Sequence, residues 1–343
     1  MMTDFALRSE LMHIFRQVYI INSAQFQIGE KLYGTGSLES VQFNDDDHKK
    51  LVERLTAVFY DQFYTRHAML VQVDLGDDGA LCDLTNLFHQ ANDNKDGWDP
   101  GWVVYKTGFD GRLFAHKGER SRQVLAGEYS TYKWPGVSPK KGDLLSIRTF
   151  SHSTDVQPAF FFAFGRTLSD QFDDCMTLRF YFNVTASTAV NLMEELTRSL
   201  NHYLIPFKFK ALVDPTKYNR ADAAVLYVAR RYYGIVASLV MEIQVKLRPG
   251  FRDLIPLFTK QLVAGIGMAE EPEEKGSFGM HRSALAARAI VNAWKKGTQD
   301  VGDRMFEIET YFSELGINLD RAYLNPKTDD IFGQIIFEKE TRW

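Results

Sequence analysis

The stretch L-R-F-Y-F-N-V at residues 178–184, followed by I-P-F-K-F-K-A-L-V at 205–213, decides the reading of this chain. Each segment alternates with period two, as a strand does, and the helical spacing between them reaches Asn201 and His202. Side chains repeat every second residue along a strand. Arg179, Tyr181 and Asn183 therefore share one face of the first strand, and Lys208 and Lys210 share one face of the second. Farther on, S-F-G-M-H-R at 277–282 sets His281 and Arg282 just before an alanine-rich helix. Cationic groups on two strands and a helix start predict a pocket for an anion, with phosphate the foremost candidate.

Working outward, residues 5–20 and 47–65 have apolar residues at helical spacing, the second behind the acidic start Asp45-Asp46-Asp47. Between them Gly34 and Gly36 mark a loop, and no strand and helix frame this G-x-G as a phosphate-binding turn. Residues 76–100 are rich in Gly, Asn and Asp and predict a long surface loop. Two strands joined through Asp110-Gly111 predict a hairpin, with His116 and Lys117 exposed on it. Further strands are expected at 144–150 and 159–164, and further helices at 186–202, 220–244, 251–264, 281–296 and 301–314. Long helices flank a few strands without regular alternation. The expected class is α+β, with a mixed or antiparallel sheet flanked by long helices. A linker at W-P-G-V-S-P-K-K-G, residues 134–142, divides an N-terminal helix and hairpin portion (1–135) from the motif-bearing portion (136–343).

Composition narrows the function. The 343 residues are 45% hydrophobic with 26 phenylalanines, enough for a large core. A net charge of −4 argues against bulk binding to nucleic acid or anionic membrane, so any basic site is local. Cys82 and Cys175, the two cysteines, make neither a disulfide framework nor a metal cluster and favour a reducing compartment. The N-terminal M-M-T-D-F-A-L-R-S-E has no basic start or continuous apolar core, and no apolar run is long enough to span a bilayer, so a cytoplasmic protein is expected. No H-E-x-x-H, C-x-x-C, P-loop or kinase signature occurs, and neither metal nor cofactor is expected.

The ordered set R-F-Y-F-N-V, P-F-K-F-K-A-L-V-D-P, Y-N-R-A-D-A-A-V-L-Y, G-I-G-M-A-E-E-P and S-F-G-M-H-R resembles the HopA-type effector domain family over roughly residues 100–300. Members occur as type III effectors of plant pathogens and in gene clusters for thioamitides and class V lanthipeptides. In the clusters the resemblance implies the lyase half of a dehydration system. Its partners would be a phosphorylated precursor peptide and a Ser/Thr peptide kinase of the small-molecule-kinase type. More distantly, the order of motifs is similar to phosphothreonine lyase effectors and to lyase domains of lanthipeptide synthetases, where a histidine taken as general acid falls on Tyr181 here.

Eliminating phosphate from phosphoserine or phosphothreonine means removing a weakly acidic α-proton. An ordinary lysine is protonated and cannot do this. Burial and neighbouring cations favour its neutral form, and Lys208 and Lys210 beside Arg179 and Arg282 meet that condition. Both remain candidate bases, since they share a strand face. Arg179, Arg220 and Arg282 are the candidate phosphate ligands, and Tyr181 or His281 the candidate acid, with the tyrosine's pKa expected to be lowered by nearby cations. Each has a plainer role available: lysines guarding an edge strand, Arg220 paired with Asp222 or Asp214, Tyr181 packed in the core. The acidic run 269–274, between glycines, is a candidate lid. The rival function is a non-catalytic module that binds a phosphopeptide or precursor peptide, or an effector recognised by a host protein.

Overall fold

The computed structural model describes residues 4–34, 45–70, 83–132, 137–173, 176–272 and 276–333. Three antiparallel sheets organise them. The first joins β1 (Val18–Asn22), β2 (Gln25–Ile28) and β3 (Lys31–Tyr33). The second joins β4 (Gly97–Thr107), β5 (Leu113–Lys117), β6 (Arg120–Val124), β7 (Tyr129–Thr131) and β8 (Leu144–Thr149) in the order β6-β5-β4-β8-β7. The third holds β9 (His152–Ser153), β10 (Phe160–Phe164), β11 (Thr177–Phe182), β12 (Phe207–Leu212), β13 (Ala224–Ala229), β14 (Lys260–Val263) and β15 (Ile266–Glu270). Its order is β14-β15-β11-β13-β12-β10-β9. The helices are α1 (Asp4–Gln17), α2 (Asp45–Phe59), α3 (His67–Leu70), α4 (Thr85–Ala91), α5 (Ala186–His202), α6 (Tyr233–Lys246), α7 (Phe278–Lys295) and α8 (Val301–Glu314). The α+β expectation holds, with every strand pairing antiparallel.

The seven-stranded sheet is sandwiched because its alternation sorts side chains between two faces. Phe180, Phe182, Phe207, Phe209, Leu226 and Val228 fall on the face covered by α5 and α6. α5 places Ala189, Leu192, Met193, Leu196 and Leu200 inward at helical spacing, and Thr185 caps it by accepting from the Thr188 amide at 3.3 Å. On the other face, Tyr181, Val225 and Ala269 pack into a second core with α7, α2 and α8. Alanines at 286, 287, 289 and 293 keep the α7 surface low against its neighbours. Arg304 of α8, fully buried, donates from Nη1 to the carbonyls of Phe15 and Val18 at 2.5 and 2.7 Å, tying the end of α1 into this core.

The expected helix at 220–244 begins instead with β13. A-D-A-A-V-L-Y-V-A is a short apolar run buried among neighbouring strands, where helix and strand periodicity cannot be told apart. The expected helix at 251–264 is irregular chain ending in β14, with Pro256 denying a helical amide and Gly265 (φ 77°) turning into β15. Helix 5–20 gives way to a strand at Val18, and helix 47–65 ends at Phe59 in a π-helical turn, Tyr60–Tyr64. The loop expected at 76–100 contains α4 and the start of β4, while 71–82 lies outside the described residues. The expected linker lies inside the five-stranded sheet: β8, on its far side, pairs with β4 and β7 on the near side, and residues 133–136 are outside the described set. Gly36, Cys82 and Cys175 also lie outside it.

Gly279 shows how tightly α7 meets the π-helical turn: a Cβ there would sit 2.3 Å from Cε1 of Tyr64. Gly279→Ala should destabilise the fold by about 1–3 kcal/mol, the usual range for overpacking, measured as a lower denaturation midpoint at unchanged slope.

Candidate functional site

Register places the candidate residues in two rungs across the seven-stranded sheet. Arg179 on β11 lies opposite Tyr227 on β13, which lies opposite Lys208 on β12. One step along, Tyr181 lies opposite Val225, and Val225 opposite Lys210. β12 is interior, paired with both β13 and β10, so its lysines do not guard a sheet edge. The Tyr227 ring has the Arg179 guanidinium at 5.3 Å and the Nζ atoms of Lys208 and Lys210 each at 5.9 Å from its centroid.

That ring separates two openings. A cleft of about 830 Å³ is lined by Arg179, Tyr181, Lys210, Arg220, Asp222 and Tyr227, with Tyr60 and Tyr64 from the π-helical turn and Gly276, Ser277 and Met280 from the start of α7. Lys208 does not line it and faces a smaller pocket on the other side of Tyr227.

Lys210 is the most perturbed lysine of the cleft. Burial, with Arg179 next in weight, lowers its pKa from 10.5 to about 8. Its Nζ donates to Oε1 of Gln157 at 3.0 Å and lies 4.3 Å from the Phe160 ring centroid, and it forms no ion pair among the described residues. A shift of that size corresponds to roughly 3 kcal/mol against the charged form. The rings offer about 0.5–1 kcal/mol each, so desolvation wins.

The two arginines are held by carboxylates. Arg179 is bidentate to Glu271 through Nε and Nη2, and Nη2 also donates to the Gly276 carbonyl at 3.0 Å. Burial opposes its charge, but Tyr181 and Glu271 outweigh that and its pKa is raised. Arg220 grips Asp222, Nη2 to Oδ2 at 2.8 Å, and donates to the Tyr60 hydroxyl at 3.0 Å, which reaches Asp222 Oδ2 at 3.1 Å. Burial would raise the pKa of Asp222, yet Arg220 holds it below the usual carboxylate range. Of the two expected partners of Arg220, Asp222 is the one engaged; Asp214 caps the turn at Thr216. The hydrogen bonds of both arginines to carboxylates run through Nε and Nη2, which leaves Nη1 of each on the side away from its carboxylate partner.

Tyr181 is 3% exposed and Tyr64 1%, and their hydroxyls face each other and the Arg179 guanidinium without a well-formed hydrogen bond. The lowered tyrosine pKa expected from nearby cations is reversed. Burial dominates over Arg179 and raises the pKa of Tyr181, so the hydroxyl stays protonated.

Two expected residues lie elsewhere. Arg282 is 1% exposed and donates Nε to the Ala322 carbonyl and Nη2 to the Leu324 carbonyl, both at 2.9 Å. Burial lowers its pKa to about 10, and it anchors the chain after α8 rather than facing the cleft. His281 meets Arg282 through Nδ1 at 2.8 Å and is not part of the cleft lining. One helical step turns these side chains away while Ser277 and Met280 face the cleft, a rotation that the single motif S-F-G-M-H-R does not specify. The candidate lid is also corrected in part. Ala269 and Glu270 belong to β15, Glu270 accepts from Asn325 N and Thr328 Oγ1 at 2.7 Å, and Glu271 holds Arg179, while 273–275 lie outside the described residues. Sequence reasoning missed Tyr60 and Tyr64. Their i, i+4 spacing in F-Y-D-Q-F-Y was the available signal, but it reads equally as helix core.

The HopA1 effector protein family model matches residues 151–324, just over half of the chain, and the chain belongs to that family. Solved structures of effector proteins from Pseudomonas syringae pv. tomato strain DC3000 and pv. syringae strain 61 are each 17% identical to it, with a TM-score of 0.37. Each alignment covers 49% of this chain and 63% of the effector, so the chain spans less than two thirds of those proteins. None of the curated proteins matches. Among the described residues no group of His, Cys, Asp or Glu is arranged to hold a metal ion, and no helix is long and apolar enough to cross a membrane.

Equilibrium denaturation separates the structural cation from the cleft residues. Arg282→Met should cost about 3 kcal/mol or more, because two buried carbonyls lose a charged donor. Tyr181→Phe should cost no more than about 1 kcal/mol, since it removes a single buried hydroxyl that makes no well-formed hydrogen bond.

Proposed function

We propose that the cleft binds a phosphorylated serine or threonine of a peptide and eliminates its phosphate, with Lys210 as the base. The observation that carries this is Lys210 itself, a half-buried lysine with no ion pair among the described residues and a pKa near 8, beside two arginines. At pH 7 roughly a tenth of such a lysine is neutral, against well under a thousandth for an ordinary one. The neutral amine takes the α-proton, the electron pair left behind forms the Cα–Cβ double bond, and the Cβ–oxygen bond breaks. Phosphate leaves with both electrons of that bond, steadied by the Nη1 groups of Arg179 and Arg220, while their carboxylate partners fix the guanidinium planes. Tyr181, kept protonated by burial, donates the proton the leaving oxygen requires, and the Tyr64 hydroxyl supplies a second donor at the cleft floor. The products are a dehydroamino acid and inorganic phosphate, and the residues named require neither metal nor cofactor. A peptide kinase is the class of enzyme that must supply such a substrate, as in maturation of a ribosomal peptide product.

Incubation with a phosphothreonine peptide tests this by mass. Elimination removes phosphoric acid, hydrolysis removes only a metaphosphate unit, and binding without loss of mass identifies a non-catalytic phosphopeptide module. The rate kcat/KM should rise with pH and level off above about 8, as Lys210 loses its proton. Lys210→Arg should abolish elimination yet bind the phosphopeptide; retained turnover would remove the lysine from the mechanism.

Lys210→Met should also raise stability. The folded pKa lies below the unfolded value of 10.5, so the penalty for a buried charge is fully present below about 8 and disappears as pH rises toward 10.5. At pH 7 the methionine variant should therefore melt higher than the parent, and the difference should shrink in alkaline buffer.

A further inference from the structure

The pocket on the far side of Tyr227 has a volume of about 340 Å³ and lies at the seam between the five-stranded and seven-stranded sheets. Ile147 and Thr149 of β8 and Val124 of β6 form one wall, and Phe164 of β10 and Tyr227 of β13 the other. Three cations stand around this apolar floor. Lys208 is exposed, with Nζ 5.9 Å from the Tyr227 ring centroid. Arg148 stacks on Phe150 at 4.6 Å. Arg122 donates Nη1 to the carbonyl and hydroxyl of Ser169 at 2.9 and 3.0 Å, and its Nε is buried without a hydrogen-bond partner.

None of the three forms an ion pair among the described residues. The pocket's own carboxylates are engaged elsewhere: Asp173 accepts from Arg231 at 2.8 Å, and Glu128 from the Leu125 amide at 2.7 Å. The pocket thus sets three cations against two carboxylates, one of which, Asp173, is already ion-paired with Arg231. It also shares a wall with the cleft, since the Tyr227 ring lines both openings.

We propose that this pocket is a specificity subsite for an acidic peptide side chain, aspartate or glutamate, two residues from the phosphorylated one. The proposal rests on the reading of the Lys210 cleft as a phosphopeptide site. The spacing follows from β12. Lys208 and Lys210 are two residues apart on one strand face, about 6.6 Å, the same advance as two residues of an extended peptide lying along that strand. With its phosphorylated side chain at Lys210, such a peptide brings its second neighbour's side chain to Lys208, Arg148 and Arg122. The methylene stem of a glutamate packs on the apolar floor while its carboxylate meets the cations.

The five-stranded sheet therefore has a job in recognition. It precedes the family-matched segment 151–324, yet contributes Arg122 and Arg148. Sequence choice by the enzyme is set where the two sheets meet, outside the segment that carries the base.

The test uses the full chain carrying Lys210→Arg, the variant expected to bind without turnover, and labelled phosphothreonine peptides read by fluorescence anisotropy. The peptides carry Glu, Ala or Lys two positions before or after the phosphothreonine. The expected result is a preference for Glu over Ala of about ten-fold on one of the two sides, with Lys weakest, the size of one partly desolvated ion pair. Adding Lys208→Glu should invert the order so that the Lys peptide binds best, and Arg148→Glu should do the same if the first variant folds poorly. Equal affinity for the three peptides, or uniform weakening of all three by the charge reversal, overturns the subsite. Phosphate-independent binding is a different failure. It removes the cleft reading, whereas phosphate-dependent binding without a neighbour preference removes the subsite alone.

Discussion

The desolvation of cations on one face of an antiparallel sheet is the constraint on which the rest of this structure depends. Arg179, Lys208 and Lys210 gather around a single tyrosine ring, Tyr227, on the strand between them. Like charges brought this close need compensation, and the chain compensates them unequally. Arg179 receives a carboxylate, Lys208 receives solvent, and Lys210 receives an amide oxygen and aromatic faces, with Asp222 and Glu271 acting on it only from beyond ion-pair distance. Lys210 therefore bears the cost as a lowered affinity for its proton, which is the property a base requires.

The arrangement is stable because the other groups of the cleft are fixed by cores on both sides of the sheet. Arg220, Asp222 and Tyr60 form a closed triangle of hydrogen bonds at one end. Glu271 and the Gly276 carbonyl orient Arg179 at the other. The π-helical turn at Tyr60–Tyr64 connects them. It lets α2, whose apolar side packs on α7, end with tyrosines directed at the sheet. An interruption of regular helix at a functional position is the usual place for a π-turn. Arg282, by contrast, shows a buried arginine spent on chain anchoring: it holds two carbonyls beyond α8 and does not line the cleft.

How much was legible depended on whether a residue's partner was local. The helices at 186–202 and 301–314 fall where their spacing and caps place them, because amphipathic periodicity and a Thr185 or Asp300 cap are contained in the segment itself. β11 and β12 were legible for the same reason. β13 was not: its apolar run carries no period of its own, and only the strands on either side made it a strand. The shared face of Lys208 and Lys210 followed from period two, but the choice between them did not. It turned on which side of the Tyr227 ring each nitrogen lies, and Tyr227 sits on a different strand.

The sequence by itself determined the α+β class, the two lysine- and arginine-bearing strands, and the family to which those strands belong. The tertiary structure decided which cations meet. It brought Arg179, Lys210 and Arg220 to one cleft, assigned Asp222 and Glu271 as their counter-charges or neighbours, added Tyr60 and Tyr64 from more than a hundred residues upstream, and turned Arg282 and His281 away. The physical reason is that a side chain's direction along its own strand is set by local periodicity, whereas its loss of water is set by whatever packs over it. A lysine's charge is governed by the second, and no local pattern carries that information.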